Sequence, residues 1–348
     1  MITLLRDIYA FAQQLIPSPI NLFVKYRFSP VDLAAIDNHI NNNTQRYASS
    51  SKLATFDVLS YNINNVAAYS PTRRRQILRA IFTSGADIIL LQETNQAWKD
   101  LLRDDATALQ FQYNYFHHPG TNDRAAGGIA ILSQYPLENV KILNFSRDVN
   151  GSVFPALICQ VKIPIQSSTS TTTNHATINI ANIHLRPPVN LDGSAWFDTA
   201  RLTEPIRINE VKELIQRTQS ERTPTTYNNS EQSTPLDIIA GDFNEGDMAG
   251  ALSYLASLGY IDTLQQHVPR HKETHTWPFM RNMCLLRKRL DHILWHKNGP
   301  LTITFNNNNG ALGCYVELKC HGCGVVTGYE NGASDHQPVL SRFAIMKR

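Results

Sequence analysis

The sequence predicts a mixed α/β fold in which helices cover buried sheets. Short apolar runs of strand length recur, and several are apolar at consecutive positions, as in Val58-Leu59 and Ile88–Leu91. A strand exposed on one face would alternate apolar and polar residues, so these strands are predicted to be buried on both faces. Helical patterns separate some of the runs, so the helices are expected to cover the sheet faces. The predicted strands are Phe56–Ile63, Asp87–Leu91, Ile129–Leu132, Ile178–Leu185, Leu236–Ala240, Leu290–Trp295 and Pro338–Ile345.

Two segments carry clear helix signals. Pro71–Gly85 opens with Pro, places Ile77 and Ile81 on one face and closes on Gly. Thr203–Arg217 starts with Thr, has Pro205 in its first turn and continues with apolar residues at helical spacing. Surface loops are predicted where Ser, Thr and Asn dominate. These loops are Gln166–Asn174, Thr218–Thr234 and Asn306–Gly310.

Residues 1–50 are predicted to form an N-terminal extension and linker, and residues 51–348 one main domain. Residues 40–52 are rich in Asn, Ser and Thr without an apolar period, which is typical of a linker. Met1–Pro17 has apolar residues near helical spacing, and a helix packed on the domain is favoured over a membrane-surface or targeting role. No apolar run approaches the roughly 20 residues that span a bilayer.

The composition is that of an ordinary globular enzyme and does not by itself indicate a partner. Of the 348 residues 42% are hydrophobic and 18% charged, and the formal net charge is +3. The odd number of five Cys does not suggest a secreted disulfide framework, so the cytoplasm or the nucleus is expected. Cys314, Cys320, His321 and Cys323 could bind structural zinc, but a second well-spaced pair is missing and free thiols are favoured.

Polar side chains lie at or beside the ends of several predicted strands. Active sites of sheet-based enzymes are commonly built at strand ends, where side chains from distant segments converge. Asp and Asn also start ordinary turns, so one such junction would mean little. The junctions are Ser60-Tyr61-Asn62, Gln92-Glu93-Thr94, His184, Gly241-Asp242-Phe243-Asn244 and Ser334-Asp335-His336. Their carboxylate and amide oxygens suit a hard cation such as Mg²⁺ or Mn²⁺.

The same junctions carry a family resemblance. In order along residues 53–345, the motifs resemble those of the endonuclease/exonuclease/phosphatase superfamily, the DNase I-like enzymes. The motifs are Ser-Tyr-Asn-Ile at 60–63, Leu-Leu-Gln-Glu-Thr at 90–94, Gly-Gly-Ile-Ala-Ile-Leu-Ser at 127–133, Asn-Ile-His-Leu at 182–185, Gly-Asp-Phe-Asn at 241–244, Leu-Asp-His-Ile-Leu at 290–294 and Ser-Asp-His-Gln-Pro-Val at 334–339. The resemblance implies a four-layer α/β/β/α sandwich and a divalent-metal-dependent phosphoesterase.

The resemblance also implies roles for single residues. Glu93 would be the main metal ligand, with Asn62 and Asp335 near it. Asp242 would orient or deprotonate the attacking water, and Asn244 would hold the phosphate. The alternatives are a surface carboxylate for Glu93 and a simple turn at Gly241-Asp242.

Two histidines complete the implied catalytic set. His336 would bind the phosphate or shuttle a proton, with Asp291 holding its ring, and His184 would donate a hydrogen bond or proton to the phosphate. Local ion pairing of Asp291 and a structural core role for His184 remain the alternatives.

The substrate is expected to be a phosphodiester, with DNA or RNA ends as one candidate. Thr276-Trp277 resembles the tyrosyl-DNA phosphodiesterase branch, whereas Arg186-Pro187-Pro188 after His-Leu departs from it. A phospholipid, sphingomyelin or small-phosphoester hydrolase and a catalytically silent phosphate-binding module are the alternatives. Cations and aromatic residues that could contact phosphates or stack on bases are Arg124, Arg186, Trp196, Phe197, Arg201, Arg207 and Trp277.

Overall fold

A computed structural model describes residues 52–104, 110–118, 126–145, 152–165, 174–188, 199–220, 236–247, 250–268, 276–278, 287–297, 301–304, 316–326 and 333–347. The predicted extension at residues 1–50 and the predicted loop at Asn306–Gly310 lie outside these ranges, as does the proposed zinc ligand Cys314. In the described part of the chain, no helix has the length and apolar character needed to cross a membrane.

The described strands form two large sheets and one short pair. In chain order they are β1 (Lys52–Asn62), β2 (Ile88–Thr94), β3 (Tyr113–His117), β4 (Gly128–Ser133), β5 (Leu137–Leu143), β6 (Ala156–Ile165), β7 (Asn174–His184), β8 (Ile238–Asp242), β9 (Tyr260–Asp262), β10 (Trp277–Pro278), β11 (Arg287–Lys288), β12 (Asp291–His296), β13 (Thr302–Thr304), β14 (Val316–Val325) and β15 (Val339–Lys347). The first sheet has the order β14-β15-β1-β2-β4-β3, and the second β5-β6-β7-β8-β12-β9, with β13 paired to β7. Strands β10 and β11 pair with each other.

The described helices flank these sheets. They are a short 3₁₀ helix (Asn65–Tyr69), α1 (Pro71–Thr83), α2 (Gln96–Asp104), α3 (Thr199–Ser220), α4 (Gly250–Ser257) and α5 (Thr263–His267). Ile77 of α1 and Trp98 of α2 belong to the apolar cluster on the outer face of the first sheet. Leu214 of α3 and Leu255 of α4 belong to the matching cluster on the second sheet.

A third apolar cluster fills the space between the two sheets. It combines residues of the first sheet, such as Val58 and Leu90, with residues of the second, such as Ile180 and Ile293. The central strands of both sheets are therefore covered on both faces, because each sheet has this cluster on one side and helices on the other. The four-layer α/β/β/α sandwich predicted from the sequence is confirmed.

The seven predicted strands and the two helices predicted within the described residues are present, but several boundaries were wrong. The helix predicted over Met1–Pro17 lies outside the described residues. The second predicted helix begins at Thr199 and not at Thr203, so Pro205 lies inside it. That helix also runs to Ser220, which shortens the predicted loop that starts at Thr218. Strand β7 begins at Asn174, the last residue of another predicted loop. Strand β7 extends into polar sequence because its backbone groups pair with those of β6.

Cys320 and Cys323 lie on β14 and are free thiols. Burial raises the pKa of the Cys320 thiol to about 12, and burial likewise raises the pKa of Cys323 well above its ordinary value. Cys323 Sγ donates to the carbonyl of Thr263 at 2.9 Å. Both described cysteines are therefore protonated, buried thiols at neutral pH, in line with the free thiols that the sequence favours.

Candidate active site

The site begins where polar side chains replace apolar ones on the inner face of each sheet. In β1, Phe56 and Val58 belong to the core between the sheets, and Ser60 and Asn62 continue the same face. This alternation follows from the two-residue period of a strand, so Tyr61 points the other way, into the outer core. The strand predicted over Phe56–Ile63 thus runs through Ser60-Tyr61-Asn62, with a change of polarity on one face only.

A pair of buried amides ties the sheets together beneath the site. Gln92 Nε2 of β2 donates to Asn182 Oδ1 of β7 at 2.7 Å. Asn182 Nδ2 in turn donates to the carbonyls of Leu91 and Ala130 at 3.1 and 2.8 Å. Hydrogen bonds between buried amides are directional, so they fix the relative position of the two strand ends.

Three neighbouring strands of the second sheet place His184, Asp242 and Asp291 in a row. His184 is the register partner of Asp242 in the parallel pair β7–β8, and Asp291 is the register partner of Asp242 in the antiparallel pair β12–β8. Register partners project to the same face of a sheet, which is here the inner face. His184 Nε2 lies 3.6 Å from Asp242 Oδ2.

Asn62 joins the carboxylates of the two sheets. Its Nδ2 donates to Glu93 Oε1 at 3.2 Å and to Asp242 Oδ2 at 3.0 Å. Its Oδ1 accepts from the backbone N–H of Asn64 at 3.1 Å. The side chain is fully buried, so its orientation is fixed by these three contacts.

Glu93 reaches the site through a bulge in β2. The register with β4 shifts between Gln92 and Thr94, and Glu93 has a φ of 56°, in the left-handed region. A bulge re-aims one side chain relative to the alternation of its strand, and left-handed backbone at a non-Gly residue stores strain. Gly128 makes the bulge possible, because a Cβ there would lie 1.8 Å from the carbonyl oxygen of Thr94.

Asp335 and Glu93 form the acidic end of the site. Glu93 Oε2 accepts from the backbone N–H of Asn65 at 3.3 Å, and Asp335 Oδ1 accepts from Asn64 Nδ2 at 2.7 Å. Burial and the charge of Asp335 raise the pKa of Glu93 to about 7. Asn64, which the sequence analysis did not select, also has a buried Oδ1 without a hydrogen-bond partner in the described structure. The run Asn62-Ile63-Asn64-Asn65 at the end of the predicted strand Phe56–Ile63 was the signal that could have identified Asn64.

Asp291 and His336 form a buried pair. His336 Nδ1 lies 2.8 Å from Asp291 Oδ2, and His336 Nε2 lies 3.6 Å from Asp242 Oδ2. Burial lowers the pKa of His336, but the carboxylates of Asp291 and Asp242 outweigh burial and raise it well above its ordinary value. Thr276 Oγ1 fixes the start of β12 by accepting from the backbone N–H groups of Leu290 and Asp291 at 2.9 and 3.0 Å.

His184 has the opposite electrostatic environment. Burial lowers the pKa of His184 to about 4, although the carboxylate of Asp242 acts in the other direction. The ring of Phe154 stacks on the His184 ring with centroids 4.1 Å apart and an interplanar angle of 18°. Sequence analysis did not identify Phe154, because nothing in the local pattern shows which ring a residue before β6 will meet.

Asn244 lies in the turn that follows Asp242. Its backbone N–H donates to Asp242 Oδ1 at 2.9 Å, and its side-chain Nδ2 donates to the carbonyl of Leu185 at 3.0 Å. One amide hydrogen of Asn244 therefore holds the turn against the end of β7. An amide nitrogen carries two hydrogens, so the predicted contact with phosphate depends on the second.

The predicted substrate-binding residues fall into three groups. Arg186 is only 5% exposed, and Arg207 is buried with Nε 2.8 Å from Glu245 Oε1, so both are held within the framework, and their contact with phosphate stays a prediction. Arg201 is exposed on α3, and Trp277 is half-buried on β10. Arg124, Trp196 and Phe197 lie outside the described residues.

Two neighbouring sets of side chains offer oxygen or nitrogen atoms to a metal. Asp242, Asp291 and His336 have ligand atoms within 4.8 Å of one another. His336 Nδ1 is paired with Asp291 Oδ2, so Nε2 is the one nitrogen of this ring that could contact a metal. The acidic end with Glu93 and Asp335 fits a cation better, since a positive charge would relieve the repulsion that raises the pKa of Glu93.

Several solved structures are similar to this chain. An endonuclease/exonuclease/phosphatase family protein from Bacteroides thetaiotaomicron is 15% identical, with a TM-score of 0.52 over 84% of this chain and 98% of that one. A functionally unknown conserved protein from Enterococcus faecalis V583 is 12% identical, with a TM-score of 0.52 over 84% of this chain and all of that one (100%). TDP2 from D. rerio, complexed with single-strand DNA product, is 14% identical, with a TM-score of 0.49 over 83% and 99%.

A search of the curated proteins finds no match. The model of the endonuclease/exonuclease/phosphatase family matches residues 59–336, which include every catalytic and metal-binding candidate described above. The chain therefore belongs to the endonuclease/exonuclease/phosphatase family.

Proposed function

We propose that the chain is a divalent-metal-dependent phosphodiesterase that cleaves its substrate by direct attack of water. The observation that carries this proposal is the convergence on Asp242 Oδ2. Asn62 Nδ2 from the first sheet lies 3.0 Å away, and the Nε2 atoms of His184 and His336 each lie 3.6 Å away. Separations of 3.6 Å are too long for direct hydrogen bonds, so both ring nitrogens remain available to a water or a phosphate oxygen.

Glu93 and Asp335 would hold Mg²⁺ or Mn²⁺, with the amides of Asn62 and Asn64 beside them. The donor set contains oxygen atoms, which hard cations prefer. The buried Oδ1 of Asn64 and the raised pKa of Glu93 are two features that a cation would satisfy. A bound cation would supply positive charge to the phosphate and to the leaving oxygen.

Asp242 would orient the attacking water and accept its proton. Burial raises the pKa of Asp242 above its ordinary value, which makes the carboxylate a stronger base near neutral pH. Its Oδ1 accepts from the Asn244 N–H, which leaves Oδ2 facing the ring nitrogens. The new P–O bond forms as the bond to the leaving oxygen breaks, and the water proton passes to Asp242.

The two histidines would stabilise phosphate charge in different ways. His336 is held as an imidazolium by Asp291 and offers a positively charged donor at Nε2. His184 has a pKa of about 4, so at neutral pH it would donate as a neutral imidazole. Fixed donors in a buried site stabilise the charge that develops on the equatorial oxygens of the transition state.

Nucleic-acid ends, as processed in DNA repair, are the substrates we place first. Thr276 fixes the start of β12, the strand that carries Asp291, through its hydroxyl. Trp277 is the next residue, so its aromatic side chain lies close in sequence to this end of the site. An aromatic residue in this place can stack on a base.

The proposal is tested by incubating the purified chain and Mg²⁺ with 5′-tyrosyl DNA, abasic DNA, RNA and sphingomyelin. Cleavage of a nucleic acid is expected; cleavage of sphingomyelin alone would assign a lipid substrate, and no cleavage of any would indicate a silent phosphate-binding module.

Glu93→Gln is expected to raise the Mg²⁺ concentration needed for half-maximal activity by about tenfold or more, because the main ligand loses its charge. The measurement is a Mg²⁺ titration of the rate for the wild type and the variant. Glu138→Gln is the matched control, since Glu138 is exposed and pairs with Lys162 on the edge of the second sheet. An unchanged titration for Glu93→Gln would remove Glu93 from the ligand set.

A further inference from the structure

The ring of His184 has a flat aromatic wall on one side. Phe154 lies in the segment before β6, remote in sequence from His184, yet its ring stacks at 4.1 Å with an interplanar angle of 18°. Phe154 is half-buried, and the preceding Val153 is 42% exposed. Stacking of this kind restricts the plane of an imidazole, since rotation about its side-chain bonds would lose the aromatic contact.

A buried carboxylate ties together the two segments that meet at this stack. Glu210 of α3 accepts from Ser152 Oγ at 2.5 Å and from the backbone N–H of Arg186 at 2.9 Å. Ser152 lies two residues before Phe154, and Arg186 lies two residues after His184. Glu210 therefore sets the spacing between the segment that carries Phe154 and the strand end that carries His184.

Arg207, one helical turn earlier on α3, completes the brace. Its NH1 group donates to the carbonyl of Arg186 at 3.1 Å, so both backbone groups of Arg186 are held by α3. Its Nε lies 2.8 Å from Glu245 Oε1, and Glu245 directly follows Asn244. The same helix thus holds the chain after His184 and the turn after Asp242.

The burial of Glu210 is unfavourable for stability alone. Its side chain is fully buried (0% exposed), and burial raises its pKa to about 7 despite the hydrogen bonds and the two nearby arginines. Apolar side chains of similar size in place of buried charges are often neutral or stabilising. A role for Glu210 in holding residues of the site in position would explain why a carboxylate is buried here.

We propose that Phe154 and Glu210 are positioning residues that hold the His184 ring in its productive orientation, an inference that rests on the proposed phosphodiesterase function. Neither residue is proposed to touch the substrate. Phe154 restricts the ring plane, and Glu210 keeps Phe154 and His184 at their stacking distance through Ser152 and Arg186. Loss of either should misplace the Nε2 donor while the rest of the site stays intact.

The first test is a double-mutant cycle. Phe154→Leu keeps an apolar side chain but loses the flat face, and is expected to lower kcat about tenfold with KM unchanged within about twofold. In a His184→Ala background the same substitution should have no further effect, because the group it positions is absent. Phe82→Leu is the matched control: Phe82 is also half-buried and in aromatic contact, with Phe111 on the outer face of the first sheet. An equal loss of kcat in both backgrounds would overturn the positioning role.

The second test does not depend on activity. In the wild type, the Cε1–H proton of His184 should show an upfield ring-current shift in its NMR signal, and Phe154→Leu should remove that shift. Glu210→Ala should weaken the shift, whereas Glu210→Gln should restore it, since an amide can accept from Arg186 and donate to Ser152. An unchanged His184 signal in Phe154→Leu would refute the inference. If the shifts behave as expected but no phosphodiester is cleaved, the stack is real and the proposed function fails instead.

Discussion

Replacing Asp242 by Asn is expected to lower kcat/KM about a thousandfold, because the site loses the group proposed to orient the water and accept its proton. The side chain keeps its size, and its Oδ1 can still accept from the backbone N–H of Asn244. The amide that replaces Oδ2 would face the Nδ2 of Asn62, also a donor, so the joining contact between the sheets is lost as well. The measurement is kcat/KM on the best substrate, together with a thermal melt.

Asp237→Asn provides the matched control for this prediction. Asp237 is buried, immediately precedes β8 and accepts from Asn179 Nδ2 at 3.0 Å, at the end of the strand opposite to Asp242. It should lose stability without a comparable loss of kcat/KM. An Asp242→Asn enzyme within about tenfold of the wild type would contradict the proposed role of this carboxylate.

His336→Ala is expected to lower kcat/KM about a hundredfold, on the order of 3 kcal/mol of transition-state stabilisation. The imidazolium at 3.6 Å from Asp242 Oδ2 is the strongest positively charged donor that the described part of the site offers to a phosphate oxygen. His296→Ala is the matched control, because His296 lies at the end of β12 opposite to Asp291, the partner of His336, and contacts the carbonyl of Leu258. A His336→Ala enzyme within about threefold of the wild type would leave the Ser334-Asp335-His336 segment a structural element.

Asp291→Asn is expected to shift the alkaline limb of the pH–rate profile to lower pH. Burial lowers the pKa of His336, and the charge of Asp291 is the largest influence that raises it. Because the active form is the protonated ring, activity is present below the pKa of His336 and is lost as the pH rises through it. Asn can still accept from Nδ1–H, so geometry is largely kept while the charge is removed. A pH profile that coincides with that of the wild type would exclude the imidazolium role.

Local sequence patterns predicted which side chains converge at the candidate site because a strand has a two-residue period. Asp242 follows the inner-face residues Ile238 and Ala240 at spacing two, and His184 follows Ile180 and Asn182 in the same way. The carboxyl ends of adjacent parallel strands lie at the same edge of a sheet. The strand pattern alone therefore predicts that His184 and Asp242 lie close together.

Features that depend on distant contacts were not predictable in this way. The position of Glu93 depends on a bulge made possible by Gly128, which pairs with Thr94 on a different strand. Arg186 was expected at the substrate, whereas the structure buries it beside Glu210 of α3. A single sequence records the charge of an arginine but not which buried carboxylate lies next to it.

Strand β6 was overlooked although its sequence carries a signal. Apolar Cys159, Val161 and Ile163 alternate with polar Gln160 and Lys162, as expected for a strand covered on one face more than the other. Strand β14 is harder to recognise, because a bulge between Cys320 and Gly322 interrupts its alternation. Bulges break the period on which strand prediction depends.

The most direct test of a metal-dependent hydrolytic site is to follow cleavage of one phosphodiester by a single purified sample through removal and return of the cation. Activity with Mg²⁺ should vanish on addition of EDTA and return when Mg²⁺ or Mn²⁺ is added in excess, while Asp242→Asn purified in parallel stays inactive throughout. Full activity of the wild type in EDTA, or equal activity of the Asp242→Asn sample, would contradict the account.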